Sequence, residues 1–246
     1  MFNIYKGNVL RLVKNTIFII GCMLAFVITF LITVGKFPLE FLLSLEKADR
    51  MLFASAAMTL YFSFFTTLFV TVEYKDGVIR NRIISGFSQT QVYIASLLAQ
   101  YSAVVIMHIF YLLGGLLGGA KLSGDFLMKI LIYFLALIAY VTVTNAIAFR
   151  NKRVVASTIL TMVLFNLCFQ SVLVGNAIIS FMEDEKAIKI AKMIYNIHAL
   201  GQWFSLIPFS FDYTNPGYPV LIALSFAIII PASVIGLIGL KKRELK

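Results

Sequence analysis

The residues that most often do chemistry in proteins are few in this sequence, and they form no catalytic or metal site. The two cysteines and two histidines, Cys22, Cys168, His108 and His198, show no CxxC, HExxH or other ligand spacing. No GxxxxGK[ST] segment, which would cradle nucleotide phosphates, is present. No nucleophile with a base and no pair of acids falls within the long apolar segments. The sequence therefore predicts a protein that is not an enzyme and that holds no metal or cofactor of its own.

The densest group of charged and polar residues lies in segment 73–93. Between two glycines, apolar residues can share one helical face while basic and amide side chains project from another. The residues are Glu73, Gly77, Val78, Ile79, Arg80, Asn81, Arg82, Ile83, Ile84 and Gly86, with Ile84 at the edge of the apolar face. A helix of one or two turns is not stable alone, so it must pack against the bilayer surface or a protein groove. Arg80 and Arg82 could then pair with acidic groups of a partner.

The elements that must position this segment are membrane helices. Of the 246 residues, 61% are apolar and 13% charged, against roughly 45 to 50% and about 25% in soluble domains. Six apolar windows are long enough to cross a hydrocarbon layer of about 30 Å. They are residues 16–34, 51–72, 94–119, 126–149, 154–181 and 218–240. The predicted fold is an all-α membrane protein with a single transmembrane domain over residues 1–246.

The basic residues outside the spans lie mainly on one side of the membrane. An even number of spans puts both termini on that side, together with the loops 73–93 and 150–153. The tails 1–15 and 241–246 and these two loops carry thirteen Lys and Arg residues and three acids, which accounts for the whole net charge of +10. Cytosolic loops are enriched in Lys and Arg, so both termini are expected in the cytosol. The basic excess indicates topology and attraction to anionic lipid, and it does not indicate nucleic-acid binding.

Two segments outside the spans are amphipathic. Residues 2–16 repeat apolar side chains every three to four positions between basic ones, which is typical of an interfacial helix, although an irregular tether also fits. The outer segment 182–217 begins with acids and continues with lysines opposite isoleucines, which favours an amphipathic helix. An aromatic belt at headgroup level is predicted from Trp203, Phe204, Phe209, Phe211, Tyr213 and Tyr218. We expect an outer interfacial lid that either gates or only anchors.

Uncharged polar residues within the spans fit either a path or helix packing. Ser55, Thr59, Ser63 and Thr67 recur every four positions in the second span, and the fifth span carries Asn166 and Gln170 one turn apart. Such residues could line a path for an amphipathic or hydrophobic cargo, such as a peptide or a lipid-like molecule. Alternatively, the hydroxyls bond to their own helix and the amides join neighbouring helices. His108, alone in the third span, fits a packing role better than a site.

Segment 73–93 and the six-span layout resemble the permeases of type-2 ABC exporters. Members of this family carry, after the second span, a Glu, a Gly four residues on, a basic-Asn pair, an apolar pair, and then Gly-x-Ser and an aromatic residue. The matching positions are Glu73, Gly77, Arg80, Asn81, Ile83, Ile84, Gly86, Ser88 and Tyr93. Gln89 departs from the pattern, since a basic residue is common there, and so does the absence of Lys near Leu97. The amphipathic N-terminal segment, the long outer loop and the basic tail also fit.

The resemblance implies that segment 73–93 is a coupling helix, which sits in a cleft of a separate ATPase subunit. ATP and Mg²⁺ would bind that subunit, and a second copy or a sibling permease would pair with this chain. The second and fifth spans would border the translocation cavity, in a bacterial plasma membrane. The expected function is a permease subunit of an ATP-driven exporter. The alternative is a non-transporting scaffold or sensor subunit that uses the same segment only to hold a cytosolic partner.

Overall fold

The computed structural model describes residues 1–151, 153–208 and 214–238, and most of them are helical. The helices are α1 (Phe2–Val13), α2 (Thr16–Val34), α3 (Lys47–Ala54), α4 (Ala56–Lys75), α5 (Val78–Ile84), α6 (Gln89–Leu117), α7 (Gly124–Asn151), α8 (Val154–Ser180), α9 (Glu185–Tyr195), α10 (Ala199–Leu206) and α11 (Tyr218–Leu237), with a 3-10 helix at Glu40–Ser44. Phe209, Phe211 and Tyr213 of the predicted belt lie outside the described residues, as do residues 239–240 of the sixth span and the tail 241–246.

The prediction of an all-helical chain with six membrane-length segments is confirmed. The six are α2, α3 with α4, α6, α7, α8 and α11, each long and apolar enough to cross a bilayer. The third span begins earlier than predicted, at Gln89, because Ser88 and Gln91 cap its first turn reciprocally. The other predicted starts differ from the observed helices by a few residues at most.

The second span is interrupted at Ser55, which the sequence pattern did not predict. The Ser55 amide bonds to the Leu52 carbonyl at 3.1 Å, and the Met58 amide bonds to the Ser55 carbonyl at 2.9 Å. This i to i−3 pattern is a tightened turn within the helix. Because of this turn, backbone carbonyls near Ser55 can accept hydrogen bonds from side chains of other helices.

Three side-chain donors from other elements bond to the carbonyls of this turn. They are the Tyr111 hydroxyl of α6 on Met51 at 3.0 Å, the Trp203 indole N–H of α10 on Leu52 at 3.1 Å, and the Tyr133 hydroxyl of α7 on Ser55 at 2.6 Å. Because a buried carbonyl without a partner costs free energy, these donors stabilise the interruption. The aromatic side chains therefore connect three parts of the fold to the second span.

Helix α7 occupies the centre of the bundle and packs against α4, α6, α8, α10 and α11. Helix α2 packs against α6, where a Cβ on Gly114 would collide with the carbonyl oxygen of Phe26. This glycine therefore permits the close approach of two helices. The share of the apolar stretch that is buried is 61% in α7 but 17% in α8, so most residues of α8 are not buried within the chain.

Helices α9 and α10 form a hairpin that enters the bundle from the end at which α8 finishes. The imidazole of His198, between the two helices, bonds to Ser171 at 2.6 Å, and Ser171 lies about 14 Å along the axis before the end of α8. Ala199 then packs with Ala136 and Tyr140 of α7. We call α9 and α10 the re-entrant hairpin.

Helix α9 of the re-entrant hairpin is largely exposed, as expected of an outer amphipathic segment, whereas α10 is buried and does not lie on the surface. Trp203, predicted in a headgroup belt, is only 7% exposed and packs against the ring of Phe53. Side-chain amides at the turn between α9 and α10 donate hydrogen bonds to buried backbone carbonyls. Asn196 donates to the Thr214 carbonyl at 2.9 Å, and the Gln202 side chain donates to the Asn196 carbonyl at 3.0 Å. Tertiary hydrogen bonds of this kind are not visible in an amphipathic pattern.

Candidate functional site

The end of the bundle that holds α1, α5 and the turn between α7 and α8 is called the basic end. Its central group is Glu73, in the last turn of α4, whose side chain is fully buried. One carboxylate oxygen of Glu73 lies 2.8 Å from the Arg11 guanidinium and 3.0 Å from that of Arg82. A buried carboxylate requires such partners, because its desolvation is otherwise costly. The three residues join α1, α4 and α5, and we call them the ionic triad.

Further contacts fix both arginines of the ionic triad. Arg11 donates to the Phe69 carbonyl at 2.8 Å, and its guanidinium carbon lies 3.8 Å from the centre of the Phe69 ring. Burial lowers the pKa of Arg11, and the neighbouring Glu73 opposes that shift. Arg82 donates to the Asn8 side chain of α1 at 2.8 Å. Arg11 is therefore held at two points of α4, and Arg82 is held by α4 and by α1.

Helix α5 is bounded by glycines, as the sequence predicted. Gly77 and Gly86 have φ angles of +70° and +91°, in the left-handed region that favours glycine. Between them, Ile79 is 2% exposed and packs in a cluster with Ile4, Val70 and Phe149. Val78 and Ile83 are half-buried, which agrees with an apolar face directed toward the bundle.

The opposite face of α5 is available to a partner. Arg80 and Asn81 are exposed, and Ile84 is 73% exposed. The structure therefore divides the predicted docking residues into two groups, because Arg82 pairs with Glu73 of its own chain whereas Arg80 is exposed. Arg11 and Asn8 belong to the site, although the sequence pattern favoured only an interfacial helix or an irregular tether for the N-terminal segment. The basic side chains interleaved with apolar ones in α1 were the only signal of this contact.

The hydroxyl residues of the second span form a buried seam between α4, α7 and α8. Ser55, Thr59, Ser63 and Thr67 are all fully buried. The Thr59 hydroxyl lies 2.8 Å from that of Tyr133, the Ser63 hydroxyl 2.6 Å from that of Tyr140, and the Thr67 hydroxyl 3.0 Å from that of Thr161. Ser55 bonds to its own helix at the Leu52 carbonyl. In this conformation the four residues pack helices together, and a path along them would require α4 and α8 to separate.

The two amides predicted for the path lie elsewhere, on the uncovered face of α8. Asn166 and Gln170 are both exposed. Asn166 follows Thr161 by a rotation of about 140°, which carries it away from the hydroxyl seam. The structure thus does not bring the two predicted sets together. An amide pair exposed on a membrane-length helix is costly in lipid unless a partner satisfies it.

Both histidines are held by backbone contacts. The Nδ1 atom of His108 lies 3.2 Å from the Val104 carbonyl, and its ring packs against Phe134, in agreement with a packing role. His198 caps α10, since its Nδ1 accepts from the Gly201 amide at 3.0 Å. The Nε2–H of His198 is then left to donate to Ser171, which requires the neutral imidazole.

Lowering the pH from 7 to 5 is expected to destabilise the re-entrant hairpin by about 2 kcal/mol. Burial lowers the pKa of His198 to about 4, whereas an unfolded histidine titrates near 6.5. Between these values the unfolded state binds the proton and the folded state does not, so stability is full above about pH 6.5 and falls as the pH decreases toward 4. Thermal unfolding across this range measures the loss. His198→Asn keeps a capping side chain without the titration, and its midpoint should change less; an equal decline in both proteins would refute the assignment to His198.

Comparison of the chain with protein-family models, with curated proteins and with solved structures gives no match. The fold itself defines an all-helical protein with six helices of membrane-spanning length and composition. Among the described residues, no three His, Cys, Asp or Glu side chains are grouped to hold a metal ion. The candidate functional site is therefore α5, a short helix that the ionic triad holds against the bundle and whose other face is exposed.

Proposed function

We propose that this chain is the permease subunit of an ATP-driven exporter of the type-2 ABC class, coupled through α5 to a separate ATPase subunit. The observation that carries the proposal is the two-sided nature of α5. Ile79 and Arg82 fix it to the bundle, while Arg80, Asn81 and Ile84 face outward. An exposed isoleucine beside a cation on a short helix suits a groove that has an apolar floor and an acidic rim.

The ionic triad gives α5 a route for transmitting force. Because Glu73 belongs to α4 and binds Arg82 of α5 and Arg11 of α1, a displacement of α5 acts on both other helices. ATP and Mg²⁺ would bind the partner subunit, where hydrolysis takes place. This chain would supply the moving helices and would not itself act as an enzyme.

A second permease, either another copy or a sibling, would cover the exposed face of α8. Two identical copies related by an axis along the membrane normal bring Asn166 and Gln170 to the same depth as their counterparts. Each amide offers both a donor and an acceptor, so such a pair can satisfy itself. A path at this contact, lined by amides and apolar side chains without charges, suits an amphipathic or hydrophobic cargo such as a peptide or lipid-like molecule.

The one-sided charge of the loops supports a plasma-membrane protein with both termini in the cytosol. In that orientation the basic end faces the compartment that contains ATP. The ATPase subunit would therefore meet α5 directly. Labelling of Arg80→Cys from the outside of intact cells would contradict this orientation.

Hydrolysis of ATP by the co-purified ATPase subunit tests the proposed coupling. Replacing Arg80 and Ile84 together (R80A/I84S) should reduce permease-stimulated hydrolysis at least about tenfold, since one loses a charge-assisted bond and the other an apolar anchor. Neither side chain belongs to the ionic triad, so the fold should be retained. Lys14→Ala removes an exposed cation from the same end and should leave stimulation unchanged.

The outcome separates coupling from scaffolding. A scaffold subunit would bind the ATPase without changing its rate of hydrolysis, even in the unaltered protein. Normal stimulation by the R80A/I84S variant would show that α5 does not couple the two subunits.

A further inference from the structure

A slot of about 270 Å³ lies between the first and second spans. Helix α2 forms one wall, and the other wall is the part of the second span around its interruption, where α3 ends and α4 begins. Met107 of α6, which is only 1% exposed, lies behind the two walls and also lines the slot. The slot shares no residue with α5, with the hydroxyl seam or with the exposed amide pair of α8.

Small side chains create the slot and give it a narrow, elongated shape. Four of its lining positions have no side-chain atom beyond Cβ, namely Gly21, Ala25, Ala54 and Ala57. On α2 the lining positions extend from Gly21 to Thr29, which is about 12 Å along the helix axis. The volume divided by this length gives a mean cross-section of about 22 Å². One hydrocarbon chain has that thickness, and two chains side by side would not fit.

The slot opens sideways, toward the hydrocarbon of the bilayer. At its rim, Leu24 is 51% exposed, Leu60 is 40% exposed, and Ala57 is exposed as well. The slot is centred on Ala25, the midpoint of α2, so in a membrane it lies near the centre of the hydrocarbon layer. What meets the opening is therefore the acyl chains of lipids and not their headgroups.

The lining of the slot suits hydrocarbon and not water. Its polar side chains are Thr29 and Tyr61, and the Tyr61 hydroxyl already donates to the Ile17 carbonyl at 3.2 Å. A buried water needs two to four polar partners, whereas an apolar cavity of about 150 Å³ in a soluble protein stays dry and takes up benzene or xenon. At the end nearer the basic end, the Tyr61 ring packs so closely on Gly21 that a Cβ there would collide with it. Tyr61 therefore closes the slot on that side.

We propose that the slot binds one acyl chain of a bilayer phospholipid, parallel to the spans, with its methyl half against Met58 and Met107. Because Ala54 and Ala57 flank Ser55, the bound chain contacts the second span on both sides of its interruption. The chain thereby supports the tightened turn from the lipid side, opposite the side-chain donors that support it from the bundle. The inference rests on the membrane-length helices and is independent of the exporter role.

Photolabelling of the full-length chain tests the site. The protein is reconstituted in nanodiscs of phosphatidylcholine that carries a diazirine near the methyl end of one acyl chain, and mass spectrometry of peptides locates the label after illumination. Three buried methionines give a matched comparison. Met58 (3% exposed) and Met107 (1%) line the slot and should be labelled, whereas Met51 (0%) does not line it and should stay unlabelled.

Filling the slot should abolish the labelling of both slot methionines. In A25L/A57L the larger side chains occupy the space of the acyl chain, so labelling should fall to the level of Met51. Ala25→Leu alone adds half of that volume and should give a smaller loss. The variant A223L/A227L makes the same changes at two exposed positions of α11, and it should be labelled like the wild type.

Ile178 of α8, which is 51% exposed, serves as the internal reference for insertion and folding in the bilayer. Normal labelling of Ile178 without labelling of Met58 and Met107 would overturn the proposal. Undiminished labelling of these methionines in A25L/A57L would overturn it too, and so would equal labelling of Met51. Labelling of Met107 by an added photoreactive fatty acid, but not by the phospholipid, would assign the slot to a free acid instead.

Discussion

Replacing Glu73 with glutamine is expected to lower the free energy of unfolding by about 3 kcal/mol. The substitution leaves the Arg11 and Arg82 guanidinium groups close together without a counter-charge, and removal of one member of a buried ion pair costs about 3 to 5 kcal/mol. The lower end of that range applies because the two arginine side chains are 33% and 18% exposed. Chemical unfolding in nanodiscs measures the loss. Tryptic cleavage after Arg11 and Arg82 should accelerate, since both helices are released.

Asp76→Asn provides the matched control for this prediction. Asp76 is an exposed acid just beyond the end of α4 that acts on Arg11 only through its charge, so its replacement removes the same charge but leaves the contacts of the ionic triad in place. A triple replacement, R11M/E73M/R82M, should recover much of the lost stability, because apolar side chains of similar length need no counter-charge. If E73Q unfolded like the Asp76→Asn control, the ionic triad would not hold α1 and α5 to the bundle.

Replacing Asn166 and Gln170 with leucine is expected to weaken self-association by about 2 kcal/mol, or roughly thirtyfold in the dissociation constant. Each interhelical amide bond in a membrane contributes about 0.6 kcal/mol, and a symmetric pair of chains would lose four amides. The dissociation constant is measured by energy transfer between labelled copies in vesicles of decreasing protein density. Loss of the pair should also reduce transport, if the path lies at this contact.

Asn176→Leu is the corresponding control on the same helix. The Asn176 amide already bonds to the Val172 carbonyl of α8 at 2.9 Å, so its loss should not affect the contact between copies. Undiminished association of N166L/Q170L would place the second permease on another face. The weakly covered α11 would then be the next candidate.

Hydrophobic length predicted the spans well because the bilayer sets the same requirement for every segment. The starts of α2, α8 and α11 follow directly from the ends of charged or turn-forming segments. The glycines that bound α5 were also recognisable, since Gly77 and Gly86 occupy left-handed backbone positions that few other residues adopt. The sequence was therefore sufficient to predict features that depend on neighbouring residues alone, such as the starts of these helices and the two glycine turns.

Long-range side-chain contacts account for what could not be predicted. Nothing near Arg82 in the sequence shows that Arg11, in another helix, shares Glu73 with it. The repeat of hydroxyls in the second span fitted a path or a seam equally well, and the choice depended on the tyrosines of α7. In the same way, the depth of the hairpin depends on Trp203 and His198 finding partners in distant helices. The periodicity of a sequence indicates which face of a helix is polar, but it does not indicate which other helix packs against that face.

The tightened turn at Ser55 has a mechanical consequence for the second span. Below the turn, α4 is fastened by the ionic triad and the hydroxyl seam, and above it, α3 is fastened by Tyr111 and Trp203. If α5 displaces α4 as we propose, we expect the second span to bend at Ser55 instead of sliding as one unit. Helix α3 would then move relative to α10, to which the Trp203 indole joins it.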